Sequence, residues 1–391
     1  MLLDLEERKL TNFHIAMNGV FNASRILKET QSIVQFGVAD KVIIVGLLQD
    51  DLQQKEVLDQ SRKIVRIKLR TRNWPKNIFF QIIKYIEFVF AVLWMVVAQK
   101  AGIINVHSVA LLPLGCVAKI LVRGRLVYDA HELETETAGL RGVRKRGAKI
   151  IERALVKFCD LVIVVSPSIE RWYRESYNIV NVVTIGNMPR YRRGEPSDII
   201  RDRLRIPFGK RILIYQGGFS RGRGIEELVA AAPALNDIGY VVVFMGFGRL
   251  QSFIEDSAKS ASNIYFLPSV NSDEVLKFTA SADIGVSSLS NAGLNHQYAL
   301  PNKLFEYVMA GVPVIVSNLK EMSAFVHENR VGVSVDSWSP SSIVAAVSEI
   351  DAMRGPELQE RLRLVGKESS WESQEPKLVK AYDDYVKRPV T

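Results

Sequence analysis

The residues best placed to do chemistry in this chain fall in one run, Ala299-Leu300-Pro301-Asn302-Lys303-Leu304-Phe305-Glu306-Tyr307-Val308-Met309-Ala310-Gly311-Val312-Pro313-Val314-Ile315-Val316. Pro301 fits the first position of a helix, where a missing N–H costs nothing. Gly311 supplies the left-handed residue that ends a helix, and Pro313 then forbids continuation. The β-branched run 314–316 reads as a buried strand. The spacing predicts a short helix, about ten residues by its start and stop signals, feeding that strand. A helix N-terminus offers backbone N–H groups and a partial positive charge to an anion. Pro301, Asn302 and Lys303 stand at that end. Glu306, one turn in, can accept hydrogen bonds from sugar hydroxyls. A diphosphate at the helix start, with a ribose beside Glu306, is the chemistry this pattern offers.

A second run is Ile212-Leu213-Ile214-Tyr215-Gln216-Gly217-Gly218-Phe219-Ser220-Arg221-Gly222-Arg223-Gly224. A strand enters a glycine-rich turn and then a helix over 225–231. Gly217 and Gly218 let backbone come close to a ligand, and Arg221 and Arg223 can pair with phosphate oxygens. Cations here would stabilise the charge that builds on a departing diphosphate. The pattern is not Gly-x-Gly-x-x-Gly, so a dinucleotide site is the weaker reading. A surface hairpin with solvated arginines is the plain alternative. No Asp-x-Asp occurs in the chain, so backbone amides and arginines are expected to hold the diphosphate and no metal is expected.

In the first half, Arg125-Leu126-Val127-Tyr128-Asp129-Ala130-His131-Glu132-Leu133 puts His131 just past the carboxyl end of a strand. Ligands of open α/β sheets bind at that edge. Asn18-Gly19 follows the first predicted strand and allows close backbone approach, as an ordinary βα turn also would. His107 ends another strand and is a lesser candidate.

Strand-like runs that must position these residues alternate with helical patterns throughout. The first half offers 13–17, 42–47, 64–69, 103–107, 126–129, 161–165 and 182–185. The second offers 212–215, 241–245, 264–267, 284–287, 314–316 and 331–335. This alternation predicts α/β architecture with two parallel sheets, each covered by helices on both faces. A chain of 391 residues is too long for one ordinary core. The expected boundaries are 1–190 and 191–370, joined through the polar stretch 187–197, with a last helix within 371–391. No repeat of solenoid period is present.

With 48% hydrophobic and 24% charged residues the composition is globular. Cys116 and Cys159 have no metal-type spacing and read as buried thiols in a reducing compartment. The acidic start Met1-Leu2-Leu3-Asp4-Leu5-Glu6-Glu7-Arg8-Lys9 lacks a leader pattern. A cytoplasmic protein is therefore expected, with a peripheral place at the inner face of the plasma membrane as the further reading. The net charge of +9 admits anionic membrane and phosphorylated substrates as partners. No nucleic-acid motif accompanies it, so nucleic acid is not expected. Lys84 and Glu87 interrupt the apolar segment 78–98, leaving 88–98 too short to span a bilayer. It reads first as a buried crossover helix and second as a monotopic surface. Lys145, Lys149, Arg153 and Lys157 recur every four residues beside a stripe of Ala148, Ile151, Leu155 and Phe158. That is an amphipathic helix whose basic face is either solvated or, with Arg70, Arg72, Lys76, Arg141, Arg144 and Arg146, apposed to anionic lipid.

The Pro301–Val316 motif closely resembles the nucleotide-sugar signature of retaining glycosyltransferases of family 4. The resemblance implies the GT-B fold, two Rossmann-like domains facing each other across a cleft, with the last helix packing back on the first domain. Glu306 matches the second glutamate of the signature, and Tyr298 takes the place of the first. Arg223 takes the place of a family lysine, Gly218 that of a family arginine, and Arg221 is the candidate to supply the missing cation. Gly246, in Gly246-Phe247-Gly248, matches the donor-side glycine turn. Val270, in Pro268-Ser269-Val270, matches backbone that meets the base, UDP- or GDP-linked. His131 matches a histidine that faces the transferred sugar, and Asn18-Gly19 matches the acceptor loop. The implied activity is retaining transfer, with a phosphate oxygen of the leaving group helping to deprotonate the acceptor. The implied acceptor is a saccharide or lipid-linked saccharide in cell-surface polysaccharide synthesis. A nucleotide-sugar epimerase, or a scaffold that binds sugar nucleotides without catalysis, would share the donor site.

Overall fold

The structure is a computed structural model, and it describes residues 10–21, 23–49 and 51–387. The acidic start, residues 1–9, lies outside the described residues. The chain divides into two compact units, Met1–Gly186 with Glu375–Thr391, and Asn187–Gln374.

The first unit holds strands β1 (Thr11–Ile15), β2 (Lys41–Leu47), β3 (Lys55–Val57), β4 (Arg62–Ile67), β5 (Ile103–Val106), β6 (Arg125–Ala130), β7 (Leu161–Val164) and β8 (Val182–Thr184). They form one sheet in the order β3-β4-β2-β1-β5-β6-β7-β8. Every neighbouring pair is parallel except β3 with β4. The second unit holds β9 (Arg211–Phe219), β10 (Tyr240–Gly248), β11 (Ile264–Pro268), β12 (Ile284–Ser287), β13 (Val314–Ser317) and β14 (Gly332–Val335). Its order is β11-β10-β9-β12-β13-β14, parallel throughout. This is the doubly wound arrangement in which the order reverses beside the first strand of the unit, opening a crevice at the carboxyl ends.

The strands are apolar on both faces because helices cover both. In β9, Leu213 and Tyr215 join one core with Val242, Phe244 and Ile284. Ile212 and Ile214 join the opposite core with Val241, Val243 and Leu304. Such runs cannot alternate polar with apolar, which is why they stand out in sequence. All thirteen predicted strands are present, with ends shifted by a few residues. β3 escaped the sequence reading: it is a short edge strand of partly exposed Lys55, Glu56 and Val57, and charge on an edge is how sheets avoid further pairing.

Three local expectations need correction. The helix after Pro301 spans Asn302–Met309, eight residues, and Pro301 is its N-cap with extended backbone. The strand β9 runs on through Gly217 and Gly218 to Phe219, paired in register with Gly246–Gly248 of β10, so the turn begins only at Ser220. The helix Ile78–Ala98 is not a buried crossover helix. It buries Phe88, Val92 and Val96 and leaves Phe79, Phe90 and Trp94 at 62%, 69% and 74% exposure.

The basic helix also differs. It spans Gly142–Leu155, and the residue it buries is Glu152. Glu152 accepts hydrogen bonds from Tyr128, Tyr173, Tyr177 and Thr135. The expected stripe is broken, since Ile151 and Phe158 are exposed. Lys145 and Lys149 are both paired with Glu136, while Arg153 and Lys157 lie exposed. Cys159 is buried and Cys116 half-buried, both as free thiols.

Candidate functional site

In the second unit, the carboxyl ends of β9, β10 and β11 and the start of the helix Asn302–Met309 enclose a cavity of about 350 Å³. Gln216, Gly217, Arg223, Gly246, Val270, Pro301, Asn302, Lys303 and Glu306 line it. The helix is anchored by its apolar face, Leu304, Phe305, Tyr307, Val308 and Met309. It ends as its sequence dictates, with Gly311 at φ +74° and Val312 N–H reaching back to Tyr307 O at 2.9 Å. The Tyr307 hydroxyl accepts from Gln216 N–H at 3.0 Å and donates to Val286 O at 3.1 Å. That fixes the second turn of the helix against the end of β9. Glycine is required at Gly246, where φ is +152° and a Cβ would lie 2.0 Å from Gly217 O.

The carboxylate and the amide of this cavity are held before any ligand arrives. Gln216, 3% exposed, donates from Nε2 to Glu306 Oε2 at 2.6 Å. Its Oε1 accepts from Thr279 Oγ1 at 2.7 Å. Lys303 Nζ is buried without a hydrogen-bond partner and rests 3.7 Å from the Tyr215 ring centroid. Burial, then the nearby Arg223 charge, push its pKa down to about 7 against the opposing pull of Glu306. Burial raises the Tyr215 phenol to about 12, so the ring beneath is neutral. Arg221 is exposed and is not among the lining residues, nor are Gly218 and Tyr298. A larger cavity of about 730 Å³ lies against Asp283, Pro313 and Arg354, at the opposite strand ends. Its Arg354 is paired with Asp351 and its Arg363 with Glu360.

In the first unit, β1, β5 and β6 bring His14, His107, Asp129 and His131 together. Asp129 Oδ2 lies 3.0 Å from His107 Nδ1 and 2.9 Å from His131 Nε2. Arg25 Nη2 donates to Asp129 Oδ1 at 2.7 Å, and its Nε lies 3.0 Å from Oδ2. His14 Nδ1 is 2.9 Å from His107 Nε2. A carboxylate can only accept, so each imidazole points its N–H at Asp129. His107 Nε2 is then an acceptor for His14, and Nδ1 is the His131 ring nitrogen that Asp129 does not engage. Burial alone would raise Asp129; Arg25 and the two histidines outweigh it and hold the carboxyl well below its usual range. Glu29 moves the other way. Burial and then the Asp129 charge raise its pKa well above the usual carboxylate range, against the opposing pull of Arg25, whose Nη2 lies 3.0 Å from Glu29 Oε1. Burial also lowers His107 and, more strongly, His14.

Two sets of atoms here are close enough to hold a metal ion: His107, Asp129 and His131, and His14, Glu29 and His107. Two imidazoles and a carboxylate suit a divalent transition metal. Against that, Arg25 already neutralises Asp129, and a dication would have to sit beside a buried guanidinium. Asn18 and Gly19 form the turn after β1, where Asn18 Oδ1 accepts from Val20 N–H at 2.9 Å. Arg66, 2% exposed, holds that turn by donating to Gly19 O at 2.7 Å.

Of the residues singled out by sequence, the second-unit cavity gathers Gly217, Arg223, Gly246, Val270, Pro301, Asn302, Lys303 and Glu306. His131 and His107 meet on Asp129. Gln216, Arg25, His14, Glu29 and Arg66 were missed as site residues. A polar residue closing an apolar strand run was the signal for Gln216, and a histidine inside the run 13–17 was the signal for His14. Arg25, Glu29 and Arg66 gave none, because charged residues usually lie at the surface. Glu134, three residues past His131, is a further omission. Burial, opposed by a hydrogen bond from Val109 N–H, raises its pKa to about 7.

Two doubly wound units, each with polar groups gathered at the carboxyl ends of its strands, define the GT-B class. A family model for "Glycosyltransferase Family 4" matches residues 40–188, and one for "Glycosyl transferases group 1" matches residues 210–352. The chain belongs to the family 4 type of glycosyltransferase. By sequence, no curated protein matches it. Among solved structures it is similar to sucrose-phosphate synthase from Thermosynechococcus elongatus, with TM-score 0.76 and 16% identity, covering 96% of this chain and 99% of that one. It is similar to Anabaena HepE in complex with UDP and glucose, with TM-score 0.70 and 14% identity over 96% of this chain and 100% of that one. It is also similar to WaaG, a glycosyltransferase involved in lipopolysaccharide biosynthesis, with TM-score 0.68 and 14% identity over 97% and 100%. At these identities the likeness is one of fold.

Proposed function

We propose that this glycosyltransferase moves a sugar from a UDP- or GDP-linked donor to a saccharide or lipid-linked saccharide, with retention of configuration and without a metal ion. The observation that carries this reading is the second-unit cavity. There Arg223, Lys303 and a helix N-terminus converge at one end of a carboxylate, Glu306, that is already oriented by Gln216. Cations and helix N–H groups suit a diphosphate, and the carboxylate suits a ribose. The fold neighbour HepE was solved with UDP and glucose, which supports a uridine donor. His131, whose Nδ1 is not engaged by Asp129, can accept a hydrogen bond there from a hydroxyl of the transferred sugar. No side chain is assigned as nucleophile; a leaving phosphate oxygen takes the acceptor proton.

The test is a calorimetric screen of UDP, GDP and their hexose conjugates, followed by product analysis. Binding of one nucleoside diphosphate, weakened by Glu306→Ala, is expected. Absence of binding by all of them would overturn the donor reading. Sugar isomerised without acceptor would assign the site to an epimerase.

A role at an anionic membrane surface in cell-surface polysaccharide synthesis is part of the same reading. The helices Ile78–Ala98, Leu112–Val122 and Gly142–Leu155 pack in sequence. They expose Trp94, Ile120 and Ile150 together with Arg144, Arg146 and Arg153, and Lys157 follows, exposed, just past the last of them. Apolar side chains beside basic ones suit the boundary between acyl chains and anionic headgroups. By length and composition the helix Ile78–Ala98 is apolar enough to cross a membrane. Its buried stripe and its inward Glu87, which accepts from Arg70 N–H and Thr71 Oγ1, support lying on the interface instead.

A further inference from the structure

An ammonium buried without an acceptor is costly, and the one on Lys303 borders a cavity. Its Nζ makes no hydrogen bond. The Tyr215 ring, 3.7 Å away, attracts it but accepts nothing comparable to an oxygen. Among the described residues, the only other cation lining this cavity is Arg223. A nucleoside diphosphate leaves with more than two negative charges, so a single guanidinium would leave much of that charge unmatched. Arg221 is exposed and does not line the cavity. Gly218, in the last residues of β9, carries no side chain and does not line the cavity either.

We propose that Lys303 is the second cation of the diphosphate site, reaching from the first turn of its helix to pair with the phosphate oxygens opposite Arg223. The proposal rests on the donor reading above and deepens it. The ammonium is stacked on Tyr215 and kept from other partners, so the incoming anion supplies its missing acceptor.

A proton follows from this. The groups that face Nζ are Arg223 from the loop after β9, Tyr215 from β9 and Glu306 from its own helix. Burial and Arg223 hold the free lysine near pH 7 as its midpoint, with Glu306 opposing. A diphosphate stabilises the charged form and raises that midpoint. Below about pH 6 the lysine is already charged, and binding takes up little. At pH 8 it is mostly neutral, and binding takes up nearly one proton. Affinity therefore falls as pH rises above about 7.

The experiment is calorimetry of the full chain with UDP and with GDP at pH 6 and pH 8, in buffers of different ionisation enthalpy. The wild type is expected to take up nearly one proton at pH 8 and far less at pH 6. Lys303→Met should bind about 10- to 100-fold more weakly at pH 6, the usual worth of a charged hydrogen bond, and lose the uptake. Arg223→Ala should weaken binding and reduce the uptake at pH 8 only in part, because losing its charge raises the free lysine's midpoint while burial still lowers it. Wild-type binding without proton uptake at pH 8 would overturn the lysine's role, and that arm needs no variant to fold. Unchanged affinity in a folded Lys303→Met would do the same while leaving the donor reading intact. No binding of either nucleotide to the wild type would overturn both.

Discussion

The polar centres of the two units are built on opposite principles. In the first, Asp129 is completely buried, and Arg25, His107 and His131 all donate to it. The charge is matched within the fold, and the imidazoles are locked in one orientation. In the second, Lys303 Nζ is equally buried and has no hydrogen-bond partner. A matched cluster stores its interaction energy in stability and fixes a side chain in place. An unmatched one costs stability until a ligand completes it. The contrast fits a unit that positions His131 and a unit that captures an anion.

The comparison breaks most visibly at Asp129. Asp129→Ala leaves Arg25 buried without its main partner, and such losses cost about 3–5 kcal/mol. Urea unfolding should show that loss, with transfer activity abolished. Stability within about 1 kcal/mol of wild type would mean the cluster does not hold the first unit together.

Next in size is the division between donor affinity and transfer. Glu306→Ala should weaken nucleoside diphosphate binding by about 1.5–3 kcal/mol, the range for a hydrogen bond to a charged group. His131→Ala should lower kcat/KM by about 10- to 100-fold with donor affinity nearly intact, since one charged or strongly oriented hydrogen bond is lost. Calorimetry and initial rates on the same two variants decide it; reversed effects would exchange the roles of the two centres.

Within the second unit, Arg223→Ala should reduce turnover more than Arg221→Ala, because only Arg223 lines the cavity. Equal losses in steady-state assays would place Arg221 on the leaving group after all. A chelator should leave turnover unchanged. Activity that disappears with chelator and returns with Mn²⁺ or Zn²⁺ would turn the His107, Asp129 and His131 set into a metal centre.

The smallest effect concerns the surface of the first unit. Arg153→Gln with Lys157→Gln should weaken co-sedimentation with anionic vesicles several-fold, and more than Lys145→Gln with Lys149→Gln does. The second pair already spends its charge on Glu136. Binding that ignores all four changes and salt would leave the apolar helices as the sole membrane contact.

Local chemistry made much of this protein legible before any coordinates. Short apolar β-branched runs bounded by turn residues and alternating with helical patterns fit strands buried on both faces, so the two parallel sheets followed from pattern. The punctuation Pro301, Gly311 and Pro313 bounded the helix that carries Lys303 and Glu306, because φ restrictions act on neighbours in sequence. Proline's exact place, one residue before the helix, was a matter of boundary alone. What sequence could not supply was which side chains face each other over long separations. Arg25 meets Asp129 across 104 positions, and Gln216 meets Glu306 across 90. The exposed apolar face of Ile78–Ala98 was equally hidden, since composition does not say which neighbours cover a helix. Only the tertiary structure decided that one buried charge, Asp129, is matched within the fold while another, Lys303, awaits its counter-charge, because pairing depends on distance and desolvation in three dimensions.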